Sequence, residues 1–452
     1  MVLLLCCFAT VSLLGRTFES GGPRSNNNDD TCDIGLFPAA TLLLPHFDVD
    51  MNNATGQGET TVFSVTNVST YEQIALVTLW TDAAFPLLSF NIYLTGYDTQ
   101  SINLYDVIVL GQMAPPRGTG VDESNRGDFS RENAARNTST CRSLPHQIPA
   151  IYQTRMREAF TRGRVPAFGD EPACETVGRA HPNGHAIGYV TIDVVSTCTP
   201  LTPSDPRYFS EAIAFDNVLT GEYMQVNRAT HSSEGNPMVH IRAIPEGESA
   251  ATRATLAQYV SNFPSTFYGR LTGTSKRDGR QPLPSRFATR WMQGGPGEFQ
   301  TELTLWREPL TVTTPSCAAY GHNRAQRTTE YVVFDEDENA QAAAYIAAPD
   351  ADFPVPQNVV TSTMRLGFRD SELPEPEPDA VAGWVYVNLD DPTGQPTGYA
   401  PRQGWITTSL RAEGRYSVGV DAIAMGNGCS PNERSEIGFG NVPLGPSAHV
   451  NP

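Results

Sequence analysis

Short runs in which apolar and polar residues alternate, each closed by turn chemistry, limit this chain to a β-rich fold more strongly than any other feature. Residues i and i+2 share one face of a strand, so such a run has two distinct sides. Phe63, Val65 and Asn67 alternate with Val62, Ser64 and Thr66, and Ile74, Leu76, Thr78 and Trp80 alternate with Ala75, Val77 and Leu79. The two runs read as paired strands. Apolar runs at 87–94 and 102–108 follow, with Thr95-Gly96-Tyr97-Asp98 between them as a turn. Strands recurring at ~10-residue spacing indicate an antiparallel sandwich, placed at residues 32–112.

Residues 113–145, with Pro115-Pro116 and several Asn and Ser, read as a linker or long loop. Arg126-Gly127-Asp128 within it matches an integrin-binding tripeptide, but in a chain rich in these residue types it is a chance match. Two helices are predicted. Tyr152, Met156, Ala159 and Phe160 form one apolar stripe opposite Arg155, Arg157 and Arg162, and Leu256, Tyr259, Val260 and Phe263 form another that Pro264 stops. Strand-like runs resume between and after them. Residues 146–330 thus read as a β-rich domain with two helices, and 331–452 as a β-rich segment placed to complete the second sandwich. The predicted fold class is mainly β: two or three antiparallel β-sandwich domains with about two peripheral α-helices.

Residues 1–14 are uncharged and mostly apolar, shorter than the ~20 residues a bilayer-spanning helix needs. That length suits the core of a secretory signal over residues 1–20, with a disordered mature N-terminus at 21–31 and no transmembrane span. Outside the signal stand Cys32, Cys141, Cys174, Cys198, Cys317 and Cys429. Their number is even and they contain no C-x-x-C, which points to disulfides in an oxidising compartment. A local Cys174–Cys198 bridge and a long-range Cys317–Cys429 bridge are expected, and the localisation is secreted or cell surface.

Lys+Arg total 31 against 49 Asp+Glu, a net charge of −18. Nucleic-acid affinity comes from cations that neutralise phosphates, so no nucleic acid is expected as partner. The deficit is local: residues 330–400 hold fourteen acids and two arginines, while 270–290 hold six cations and one acid. This polarity suits self-association or a surface polymer or protein partner.

The stretches PAATLLLPHFDVD (38–50), TVFSVTNVS (61–69), FNIYLTGYDTQSINLYDV (90–107), GYVTIDVV (188–195), GNPMVHIRAIPEG (235–247) and EGRYSVGVDAIAMGNGC (413–429) together resemble a group of uncharacterised exported bacterial proteins. The N-terminal part also resembles immunoglobulin-like β-sandwich domains of bacterial surface proteins. The resemblance implies an exported β architecture and carries no assigned chemistry.

No G-x-S-x-G elbow, H-E-x-x-H, P-loop or G-x-G-x-x-G occurs. Asp335, Asp337 and Asn339 follow the first half of a calcium loop, with Asp48–Asp50 and Asp390-Asp391 as further oxygen donors, which makes calcium the one candidate cofactor. Cys174, His181, His185 and Cys198 are the four residues that could hold zinc, although the disulfides compete for two of them. His231 and His240 are acid/base candidates. Trp80, Trp291, Trp306, Trp384 and Trp405 are candidates for a sugar-stacking platform, with core packing the commoner role. The function expected is that of a secreted or cell-surface protein with a structural, adhesive or binding role and no catalysis. The alternative is a secreted hydrolase, acting on carbohydrate, with a carboxylate pair or His231/His240 at a domain cleft.

Overall fold

A computed structural model of the chain describes residues 34–113, 127, 129–141, 147–167, 169, 172–175, 177–205, 207–243, 266–269, 278–295, 297–309, 330–344, 362–368, 373, 376, 379–389, 403–412 and 416–425. These build four antiparallel sheets, and the fold is mainly β. The first sheet has the order β4 (Pro86–Leu94), β3 (Gln73–Thr81), β6 (His185–Val195), β1 (Thr41–Asp50) and β9 (Val239–Ile241). A second consists of β5 (Thr99–Asn103), β2 (Glu59–Asn67), β7 (Leu219–Asn227) and β8 (Ser232–Pro237). The C-terminal half supplies a sheet of β13 (Ala340–Ala344), β12 (Glu330–Asp335), β15 (Ala382–Asn388), β10 (Arg286–Met292) and β18 (Ile423–Ala424). Its companion is β14 (Thr363–Gly367), β11 (Phe299–Arg307), β16 (Gly404–Ala412) and β17 (Tyr416–Asp421).

The burial of the strands explains the layering. β1, β3 and β6 are almost wholly buried on both faces, which places them in a layer covered on both sides. Leu42, Leu44, Val77, Leu79 and Ile192 pack against Phe63, Val65 and Tyr223 of the β2 sheet. Leu43, Ile74, Leu76, Trp80 and Tyr189 belong instead to the core shared with Phe287, Leu305, Trp306, Val385 and Ile406 of the C-terminal half. By contrast, β2 alternates buried and half-buried positions, so it covers one face only. β2 and β3 therefore do not pair, contrary to the reading of the alternating runs. β2 pairs with β5 and β7, and β3 with β4 and β6.

The chain also crosses the boundaries drawn from sequence. β6 runs between β1 and β3, with Thr41 opposite Asp193 and Trp80 opposite Tyr189, so residues 185–195 complete the sheet begun at 41. Parts of the 113–145 stretch are tied in as well. Arg131 bridges to Tyr71, Arg136 pairs with Asp216 at 2.7 Å, and Cys141 forms a disulfide with Cys198. That bridge corrects the expected Cys174–Cys198 pair: parallel pairing of Asn137 with Thr197 draws Cys141 and Cys198 to a Cα separation of 5.3 Å. Cys174 is disulfide-bonded too, with a partner beyond the described residues. Cys32, Cys317 and Cys429, the second predicted helix, Arg126, Asp128 and Asp390-Asp391 also lie outside them.

The first predicted helix is present as α1 (Ala150–Arg162). Met156, Ala159 and Phe160 are buried, while Tyr152 is 37% exposed. Phe160 meets Phe47 edge to face at 5.9 Å, and Gly163 at φ 66° ends the helix by donating its N–H to Ala159 O. The turn after β4 requires its glycine: a Cβ on Gly96 would stand 2.2 Å from Thr70 O.

Candidate functional site

One residue out of phase in β1 begins the site. The core facing the β2 sheet takes Leu42 and Leu44, then Phe47 and Val49, because the register slips between Leu44 and Phe47. Pro45 has no N–H to give the ladder, and the bulge turns His46 and Asp48 to the C-terminal half. His46 Nδ1 lies 2.9 Å from Thr363 Oγ1 on β14, and Asp48 Oδ2 lies 3.6 Å from the guanidinium of Arg365 on the same strand.

Arg365 is the hub where three sheets meet. It stands 3.4 Å from Glu59 Oε1 on β2 and 3.3 Å from Glu302 Oε1 on β11, and it donates to Gln225 Oε1 on β7 at 2.6 Å. Arg411 on β16 pairs with Glu234 on β8 and lies 3.5 Å from Glu302. Ser409 donates to Glu234 as well. His185 Nδ1 is 2.6 Å from Asp48 Oδ1, and Asn227 donates to Glu59 Oε2 at 3.0 Å. Four carboxylates thus share two guanidiniums and one imidazole.

The proton affinities follow from that balance. Burial pushes the Glu59 carboxyl up, more than the Arg365 charge pulls it down. Burial also acts upward on Asp48, but the His185 hydrogen bond and Arg365 outweigh it and leave the carboxyl below its ordinary range. The bond to Asp48 raises His185 against the opposing effect of burial. Glu234 is lowered despite burial, through Arg411 and Ser409. His46 is held at about 3 by burial and then by the Arg365 charge, so its imidazole is neutral.

Beside this cluster lies a cleft of about 240 Å³ between the β7–β8 hairpin and β11/β16/β17. Glu59, Gln225, Asn227, Glu234, Gln300 and Arg411 line it, with Thr230, His231, Ser232 and Tyr416. The hairpin is closed by Asn227 Oδ1, which accepts the N–H groups of Ala229 and Thr230. That turn places His231 at φ 52°, exposed beside the cleft.

The sequence candidates separate clearly. His231 reaches the cleft. His240 is buried, 2.9 Å from Phe37 O through Nδ1 and accepting the Gly221 N–H through Nε2, a packing role with no access to a substrate. Both cysteines of the zinc reading are disulfide-bonded, which removes their thiolates. His181 lies 3.4 Å from Asp82, whereas His185 joins Asp48. Asp335 closes the β12–β13 hairpin: Oδ1 accepts the N–H of Asp337 and Asn339, and Oδ2 accepts Asn339 Nδ2 at 2.7 Å. Trp80, Trp291, Trp306 and Trp405 are buried and pack the core, whereas Trp384 is half-buried and stacks on Phe334 at 4.3 Å.

Among the described residues, Asp48, Glu59 and His185 place their ligand-type atoms within 4.8 Å of one another. Of these, Asp48 and His185 were singled out from sequence, though for different sites. Glu59, Glu302 and Arg365 were missed. Their signal was a charge in phase with one strand face: Glu59 with Thr61, Phe63 and Val65, and Glu302 with Thr304 and Trp306. Arg365 is also one of only two arginines among the fourteen acids of residues 330–400. Comparison with protein-family models, curated proteins and solved structures found no match.

Proposed function

We propose that the protein works by binding, outside the cytoplasm, and that the cleft between its N-terminal and C-terminal halves takes a small hydroxyl-rich ligand of the saccharide type. The observation that carries this reading is the cleft's lining. Thr230, Ser232 and Gln300 bring neutral donors and acceptors to about 240 Å³. Gln225 and Asn227, already held by Arg365, Glu59 and the hairpin turn, form its fixed wall, and the half-exposed ring of Tyr416 is at hand for stacking. Sparse, fixed polar groups plus an aromatic surface are what a polyol needs to be oriented and desolvated. The Cys141–Cys198 disulfide supports an oxidising, extracytoplasmic location.

Hydrolysis is the weaker reading, although burial raises Glu59 while Arg411 and Ser409 lower Glu234. Such divergence is what an acid and a base require. Here each carboxylate oxygen is already engaged: those of Glu59 by Arg365 and Asn227, and those of Glu234 by Arg411 and Ser409. Neither group is poised to exchange a proton with a ligand.

Isothermal titration of the purified protein with neutral mono- to tetrasaccharides tests the proposal. Saturable binding that falls at least about tenfold in Tyr416→Ala and Gln225→Ala is expected. A flat titration across the whole set would rule the saccharide reading out.

A further inference from the structure

We propose that Asp48, Glu59 and His185 form a binding site for one first-row divalent metal ion, of the Zn²⁺ or Mn²⁺ type, where β1, β2 and β6 meet beside the cleft. Three elements from two sheets converge there: β1 gives Asp48, β2 gives Glu59 and the start of β6 gives His185. Their ligand atoms lie within 4.8 Å of one another, a span that small side-chain rotations close onto a single ion. One imidazole nitrogen with two carboxylate oxygens suits zinc or manganese. Calcium, which prefers an all-oxygen shell, is disfavoured.

Charge is the first argument. Glu234 and Glu302 face Arg411 and Arg365, which leaves Asp48 and Glu59 with what remains of Arg365 and, for Asp48 alone, the His185 imidazole at 2.6 Å. Arg365 holds them loosely, at 3.6 and 3.4 Å, against about 2.7–2.9 Å for a well-formed charge-assisted bond. Its short bond goes to the neutral Gln225. Anions removed from water need a compensating charge close by, and a divalent ion between these two carboxylates supplies it.

The second argument is independent of the carboxylates. His46 is 1% exposed, and its Nε2 has no hydrogen-bond partner among the described residues. The Thr363 hydroxyl donates to Pro45 O, so Thr363 Oγ1 must accept from His46 Nδ1–H. The tautomer follows: Nε2 carries a bare lone pair, in the same β1–β14 interface as Asp48 and Arg365 and close enough to feel both charges. An imidazole whose Nδ1–H is anchored on oxygen, with Nε2 open, is the arrangement metal-site histidines adopt. His46 lies outside the three-residue cluster, and we read it as a neighbour of the site along β1 rather than as one of its ligands.

The site is independent of what the cleft binds, so its test does not depend on the saccharide reading. Protein dialysed against chelator is titrated calorimetrically with Zn²⁺, Mn²⁺ and Ca²⁺ separately. One equivalent of Zn²⁺ or Mn²⁺ per chain is expected, with affinity at least tenfold lower in Glu59→Gln and in His185→Gln and unchanged in Asp337→Asn on the distant hairpin. Because the buried variants are open to misfolding, the wild-type protein loaded with Mn²⁺ is also examined by electron spin-echo spectroscopy, where a histidine ¹⁴N coupling is expected. No stoichiometric binding, an all-oxygen spectrum, or undiminished affinity in both folded cluster variants would each overturn the site.

Discussion

Arg280→Met probes a fully buried charge cluster among the described residues. Arg280 and Asp193 are both 0% exposed. Asp193 accepts hydrogen bonds from Tyr208 at 2.7 Å, Tyr268 at 2.8 Å and Thr41, and it lies 3.7 Å from the Arg280 guanidinium. Arg280 in turn donates to Thr41, to Ala214 O at 3.0 Å and to Ala40 O at 3.3 Å, and pairs with Asp278 at 3.4 Å. The knot therefore ties Tyr268, Asp278 and Arg280 to strands β1 and β6. Methionine keeps the volume and removes the cation, leaving two buried carboxylates without a counter-charge. Breaking a buried pair in this way costs about 3–5 kcal/mol, a large part of the ~5–15 kcal/mol that holds a domain folded. Tyr208→Phe deletes one hydrogen bond to a charged acceptor and costs less, about 1.5–3 kcal/mol. Guanidinium unfolding followed by circular dichroism, with the m-value checked for constancy, ranks the two variants. If Arg280→Met lost less than about 1 kcal/mol, or less than Tyr208→Phe, the charge argument would be wrong and the knot no more than packing.

The Cys141–Cys198 bridge closes a separation of 57 residues. Loop-closure entropy then gives it about 4 kcal/mol, so the Cys141→Ser/Cys198→Ser double variant should melt well below the parent, and coincident melts would refute that share. His240 is buried neutral, its pKa lowered chiefly by burial. The unfolded chain takes up that proton as pH falls through about 6.5 and the folded chain resists it, so stability drops on the acid side. His240→Gln should flatten that slope in melts between pH 7 and 5, and an unaltered slope would assign it to other groups. Gly96→Ala brings a Cβ to 2.2 Å from Thr70 O and should destabilise by about 1–3 kcal/mol; a neutral effect in chemical denaturation would show that the turn yields freely.

The strand-level reading held where one local rule was enough. Alternation located β2 and β3, an apolar run located β4, and the stripe of Tyr152, Met156, Ala159 and Phe160 located α1. It misled at the pairing of β2 with β3 because both runs alternate, and alternation does not say how many faces are covered. β3 has Ala75, Val77 and Leu79 on one face and Ile74, Leu76 and Trp80 on the other, a two-sided pattern that suits only a middle layer. The disulfide failed for a related reason. Proximity in sequence favoured Cys174 for Cys198, whereas a loop bridged to Thr197, just beyond β6, delivered Cys141.

By itself, then, the sequence determined that the chain is β-rich and antiparallel, where its regular turns fall, which charges it carries and which standard catalytic motifs are missing. Tertiary structure alone decided the layer each strand joins and the composition of the site. Asp48, Glu59, His185, Glu234, Glu302, Arg365 and Arg411 come from seven strands of three sheets, and no local spacing rule links them. The reason is physical. A strand's period assigns each side chain to a face, but the partner of that face is chosen by long-range packing, and it is there that charges distant in the chain are forced to find one another.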